Sequence, residues 1–189
     1  MGSFLKTIIL ALAIFLLVRS TLQSFVVLGS SMEPSLVDGQ LILVDKASYR
    51  IHLPRRGDIV IFRSPSRTNR FLIKRVIALP GETVEIRNGK PIICPTPTEK
   101  RDCWTLEESY VLLRPGENDL PTTVLPDHFY VLGDNRAHST DSRSPSVGLV
   151  SREDIIGRAW LSLWPLQDWG LAPNYSWANH SSTTSGQAY

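Results

Sequence analysis

The sequence predicts a mainly β protein held on an N-terminal membrane helix, and three observations point there. An uninterrupted apolar run, Ile8 to Val18, opens the chain, with Lys6 before it and Arg19 after it. Behind it come short runs of β-branched and apolar residues, several of them closed by Gly, Pro or Asn, the pattern of buried strands separated by turns. Asn88-Gly89 sits between two such runs, and Asn-Gly in that setting is a strong hairpin signal.

The apolar run alone is shorter than the ~20 residues that span a bilayer. Extended from Phe4 to Leu28 it reaches that length, at the expense of including Lys6, Arg19 and Gln23. Lys and Arg near helix ends can reach the headgroups along their own stems. A cleavable signal peptide also fits, because Gly29 and Ser31 are small residues two apart. Residues 1–28 are therefore read as anchor and lead-in.

Next comes Gly29-Ser30-Ser31-Met32-Glu33-Pro34-Ser35. Pro34 bars a helix from running through. Leu41–Val44 and Ile59–Phe62 read as strands, with turns at Val37–Gln40 and Gly57-Asp58. Phe71 to Leu79 reads as a third strand, closed by Pro80-Gly81, and it carries Lys74 among apolar neighbours. A lysine so placed either snorkels to water from a sheet edge or stays buried as a neutral amine. A serine hydroxyl is a poor nucleophile until a base takes its proton. The chain has four histidines but no G-x-S-x-G elbow, whereas a Ser-Lys pair needs no imidazole. Ser31 with Lys74 is thus the candidate catalytic pair.

Composition narrows the classes further. The 20 basic and 18 acidic residues are spread along the chain and leave a net charge of +2, against a nucleic-acid binder with its basic face. Arg50, Arg55 and Arg56 read as solvated surface rather than headgroup contacts. Cys94 and Cys103 have no nearby His and do not form a zinc motif. No metal or cofactor is expected.

Glu82–Arg87 and Lys90–Cys94 are the arms of the Asn88-Gly89 hairpin. Glu107–Leu113 is a further candidate strand, and Pro115–Pro126 is irregular. His128–Leu132 and Asp154–Trp164 are the last two expected strands, separated by Gly133-Asp134-Asn135-Arg136-Ala137-His138-Ser139-Thr140-Asp141-Ser142-Arg143. Trp160, Trp164, Trp169 and Trp177 fit either core packing or an interfacial belt. Asn174–Tyr189 is polar and expected to be disordered.

The stretches Ser31–Ser35, Arg56–Phe62, Lys74–Glu82 and Gly133–Arg143 resemble, in order, the successive sequence boxes of type I signal peptidases. The resemblance covers roughly Phe4 to Pro165. It implies a barrel-like β-sheet peptidase domain over 29–168, with a reduced hairpin subdomain inserted at 82–127 and a polar tail at 169–189. It implies Ser31 as nucleophile and Lys74 as general base. Ser139 would hydrogen-bond and orient the Lys74 amine, while Asp134, Asp141, Arg75 and Arg143 would form supporting ion pairs. Met32, Ile73 and Val27 would line shallow pockets for small residues at −3 and −1 of the substrate. Gly29 stands where some members carry a serine that helps the oxyanion, which leaves the Ser31 N–H as chief donor.

The implied partners are preprotein signal peptides and the lipid bilayer, with no nucleic acid. The implied location is the cell membrane, single-pass, with the catalytic domain on the extracytoplasmic side; a thylakoid membrane stays open. Cys94 and Cys103 can close a ten-residue loop or remain free thiols. A catalytically silent, membrane-tethered β-rich binding protein of the same fold is the competing reading.

Overall fold

The apolar opening folds as helix α1, Gly2–Thr21. At ~1.5 Å per residue its length matches the ~30 Å hydrocarbon layer, and it is long and apolar enough to cross a membrane. The computed structural model describes residues 2–66, 70–95, 103–111 and 116–177. The helix starts earlier and stops sooner than expected. Leu22–Val26, read as lead-in, is strand β1 of the main sheet, paired antiparallel with β2, Leu41–Asp45. The Lys46 N–H donates to the Thr21 carbonyl at 2.8 Å, which ties the helix end to the turn after β2. A short helix α2, Ser48–Ile51, follows.

Three runs form the centre of the fold: β3 (Ile59–Arg63), β4 (Phe71–Ala78) and, later, β9 (His128–Leu132). The smaller sheet is built from β5 (Thr83–Arg87), β6 (Lys90–Cys94), β7 (Trp104–Thr105) and β8 (Asp119–Thr123). The chain closes with β10 (Val150–Ser151), β11 (Ile155–Trp164) and β12 (Gly170–Leu171). The main sheet runs β1-β2-β11-β3-β4-β9-β10, with β12 added to β11, and the small sheet runs β7-β6-β5-β8. Although β1 and β4 are separated by three strands, the rings of Phe25 and Phe71 meet edge-on at 5.4 Å. The sheet is therefore curled, as a barrel-like domain requires.

Strand β3 reads as a continuous apolar run because both of its faces are covered. Ile59 and Ile61 join Val27, Met32, Leu36 and Ile42 in one core. Val60 and Phe62 join Val76, Phe129 and Val131 in another. A third core, including Ile77, Val84, Ile86, Ile93 and Leu132, lies between the two sheets. The hairpin turns at Asn88 and Gly89, both with positive φ, in the two-residue loop that suits Asn-Gly. Cys94 and Cys103 are disulfide-bonded.

Three expectations are corrected. Glu107–Val111 is not a strand: β7 lies just before it, at Trp104–Thr105, and residues 112 and 113 fall outside the described residues. Pro115–Pro126 is not wholly irregular, because Asp119–Thr123 pairs with β5 as an edge strand, a position that tolerates Pro121. The C-terminal segment is ordered as far as Trp177. Asn174 accepts the Ile59 N–H at 2.7 Å and donates to the Ala159 carbonyl at 2.8 Å, while Tyr175 N–H bonds the Gly57 carbonyl at 3.2 Å. Gly57 is needed there, because a Cβ would lie 2.0 Å from the Tyr175 carbonyl oxygen. The expected disorder over 178–189 lies outside the described residues.

Candidate active site

Strand β4 pairs with β9 only from Arg75 onward. Its first half, Phe71–Lys74, therefore leaves an edge free, and that edge faces β1 and the chain after it. Between them runs a cleft of about 640 Å³, lined by Phe25–Ser31, Arg70–Lys74, Ile42, Ile61, His138 and Thr140. The Phe25–Phe71 contact marks one end and the Ser31 turn the other.

Ser31 Oγ and Lys74 Nζ are 2.7 Å apart. The amine also donates to the Ile73 carbonyl at 2.7 Å. Lys74 is 3% exposed, and burial draws its pKa down from 10.5 to about 8, against the opposing charges of Asp141 and Asp134. Arg70 and Arg143 push in the same direction as burial. The Ser31 N–H makes no hydrogen bond among the described residues, so it is free to receive an oxyanion.

The supporting charges sit behind this pair. Arg75, beside Lys74 in sequence, points the other way and is fully buried. It meets Asp134 through two hydrogen bonds, of 2.9 and 2.6 Å. Burial pulls the guanidinium pKa down, but the Asp134 hydrogen bond and charge more than offset that and raise it. Arg75 also donates to the carbonyls of Gly57 and Pro173, and its guanidinium lies 4.2 Å from the Tyr110 ring centre and 5.0 Å from that of Tyr175. Asp141 holds Arg143 at 2.8 and 2.7 Å and accepts the Gly133 N–H at 2.9 Å.

Gly133 is the hinge of the arrangement. A Cβ there would lie 2.2 Å from Ser139 Oγ and 2.5 Å from the Ser31 carbonyl oxygen. Only glycine lets the loop after β9 come this close to the nucleophile's own backbone. The Asn135 N–H then donates to the Ser31 carbonyl at 3.1 Å.

Two expected roles fail. Ser139 does not bond the lysine amine: its hydroxyl is buried without a hydrogen-bond partner among the described residues. It packs on the Gly133 backbone, while the amine spends a hydrogen on the Ile73 carbonyl. Met32 does not line the cleft. The Leu36 N–H to Met32 carbonyl bond of 3.0 Å turns the chain back on itself, and the Met32 side chain is fully buried in the core with Leu36 and Ile42. Val27 and Ile73 do line the cleft. Ile42, Ile61, Arg70 and His138 were missed. Ile61 stands opposite Ile73, and Ile42 opposite Phe25, but a register of this kind has no signature in sequence.

The site thus sets a hydroxyl within hydrogen-bond reach of a buried amine, at the end of a cleft with a free strand edge. The match to the model of the signal peptidase family, peptidase S26, spans residues 1–164: this chain belongs to that family and is a serine peptidase. It is 38% identical over 183 residues to signal peptidase I of Leptolyngbya laminosa, covering 90% of this chain and 85% of that protein. It is 35% identical to a probable signal peptidase I-1 of Synechocystis sp., with 92% and 89% covered. A crystal structure of a signal peptidase I from Enterococcus faecalis aligns with 57% of this chain and 97% of that one, at 34% identity and a TM-score of 0.46.

Proposed function

We propose that the chain is a membrane-anchored endopeptidase that removes signal peptides from exported preproteins, with Ser31 as nucleophile and Lys74 as general base. The observation that carries this is the 2.7 Å contact between Ser31 Oγ and an amine whose pKa burial has brought to about 8. In the neutral amine the nitrogen lone pair accepts the Ser31 O–H. The proton passes to Nζ as Oγ attacks the scissile carbonyl, and the Ser31 N–H faces the developing oxyanion. The Lys74 ammonium then protonates the leaving amine, which is the new N-terminus of the mature protein. Water, deprotonated by the regenerated amine, hydrolyses the acyl-enzyme and frees the leader with a carboxylate end.

The residues before the scissile bond would lie along the free edge of β4 as an added strand. Val27, Ile42, Ile61 and Ile73 give that part of the cleft an apolar lining, which suits small side chains at −1 and −3. Helix α1 would hold the cleft beside substrates that are themselves membrane-tethered, raising their effective concentration. Incubating the full-length protein in detergent micelles with a preprotein bearing Ala-x-Ala tests the reading. Wild type should cut after the second Ala, and Ser31→Ala and Lys74→Ala should be folded and inert. Cleavage surviving in either variant would reject the pair, and a silent wild type would favour the binding-protein alternative.

A further inference from the structure

We infer that the β2–α2 turn and the end of β3 form a binding cleft for the headgroup of an anionic phospholipid. The inference rests on α1 being a membrane helix. Lys46, Arg50 and Arg63 converge on a depression of about 410 Å³ on the main sheet. None of the three is in an ion pair among the described residues. Glu153 also borders the cleft, so cations outnumber carboxylates three to one there.

Three features commit the site to a lipid rather than to a free anion. The first is position. Thr21 ends α1, its carbonyl accepts the Lys46 N–H at 2.8 Å, and the Ser20 carbonyl accepts from Arg50 at 3.5 Å. The cations therefore gather where the chain leaves the helix, at headgroup depth for a spanning α1. The second is composition. Phe71, Ile155 and Ile156 line the same cleft beside Gln23, so the cleft has polar and apolar parts, as the boundary between a phosphodiester and its acyl chains has. The third is continuity. Phe71 also lines the catalytic cleft, so a lipid bound here would border the end of the groove farthest from Ser31.

A basic side chain near an anionic surface contributes roughly a fivefold preference. The test uses the full-length protein in phosphatidylcholine vesicles with trace spin-labelled phosphatidylglycerol or, separately, spin-labelled phosphatidylcholine. Wild type should immobilise phosphatidylglycerol several-fold more than phosphatidylcholine, an excess that shrinks in high salt. Lys46→Gln/Arg50→Gln/Arg63→Gln should hold the two lipids equally, whereas Arg87→Gln/Lys90→Gln, on the small sheet, should keep the wild-type excess. Unchanged cleavage of a short peptide in detergent shows that the triple variant is folded. No lipid preference in wild type, or a preference surviving in the triple variant, overturns the site. Flotation of wild type with neutral vesicles reports the anchor separately. If it floats without preferring phosphatidylglycerol, the anchor stands and the headgroup site falls; if it does not float, both fall.

Discussion

Replacing Lys74 with Met should make the protein more stable at neutral pH. The amine is held at a pKa of about 8 against 10.5 for a free lysine. At about 1.36 kcal/mol per pKa unit, the charged form is disfavoured on folding by about 3 kcal/mol. Below pH 8 both folded and unfolded chains carry the proton and the full penalty is present. Between pH 8 and 10.5 the unfolded chain still binds the proton and the folded one does not, so wild-type stability rises with pH across that window. A methionine has no charge to desolvate. It forfeits the contacts with Ser31 Oγ and the Ile73 carbonyl, and at about 0.5–1.5 kcal/mol for each of two typical hydrogen bonds a net gain of up to about 2 kcal/mol remains. Urea unfolding in micelles, followed by tryptophan fluorescence, measures it. The midpoint of Lys74→Met should exceed wild type at pH 7, and the difference should fall steadily to pH 10.5. Tyrosine titration affects both proteins alike and cancels. A difference flat with pH between about 7 and 10.5 would show that the amine is not desolvated in the folded chain.

The same pKa predicts activity. Preprotein cleavage should rise roughly fiftyfold from pH 6 to pH 8, following the neutral amine fraction. Arg70→Gln removes a positive charge that helps depress the lysine, so its acidic limb should move to higher pH while the plateau rate holds; a limb that stays put would exclude Lys74 as its source. Gly133→Ala must push Ser139 and the Ser31 backbone aside. A displacement of about 1 Å at a reacting group costs about 10²-fold in rate, measurable as kcat with the circular dichroism spectrum unchanged. Cys94→Ser/Cys103→Ser opens the loop between β6 and β7, so the free energy of unfolding should fall by about 2–3 kcal/mol, read from urea curves, while cleavage persists. Ending the chain at Ala172 strips Pro173 and Tyr175 from Arg75; kcat should drop and heat resistance with it.

The centre of the fold was legible because its signals are local. Leu41–Val44, Ile59–Phe62 and Phe71–Ala78 carry their β character in their own residues, and Asn88-Gly89 prescribes its turn. The Ser31–Lys74 pair was legible because a lone lysine in an apolar strand asks for a reason. What escaped depends on partners far away in the chain. Strand β8 contains Pro121 and exists because β5 offers an edge. The ordered run to Trp177 gains its place through hydrogen bonds to Gly57, Ile59 and Ala159 and through the rings of Tyr175 and Trp177, which pack against Arg75, Tyr110 and a distant core. Met32 looked like a pocket residue from its neighbour's role, but a turn stabilised at Leu36 sends it inward. Ser139 sits near the pair, yet which atom its hydroxyl meets depends on how closely Gly133 approaches.

The contact of Pro173 and Tyr175 with Arg75 has a consequence for biogenesis. Pro173 lies 98 residues after Arg75 in the chain, so the partners that cover the guanidinium are made long after it. The buried cation beside Lys74 is enclosed only when that later segment folds back against it. A chain still lacking that segment would leave the Arg75–Asp134 pair without the ring and the carbonyl that cover it, so the ion pair would be the last part of this wall to close.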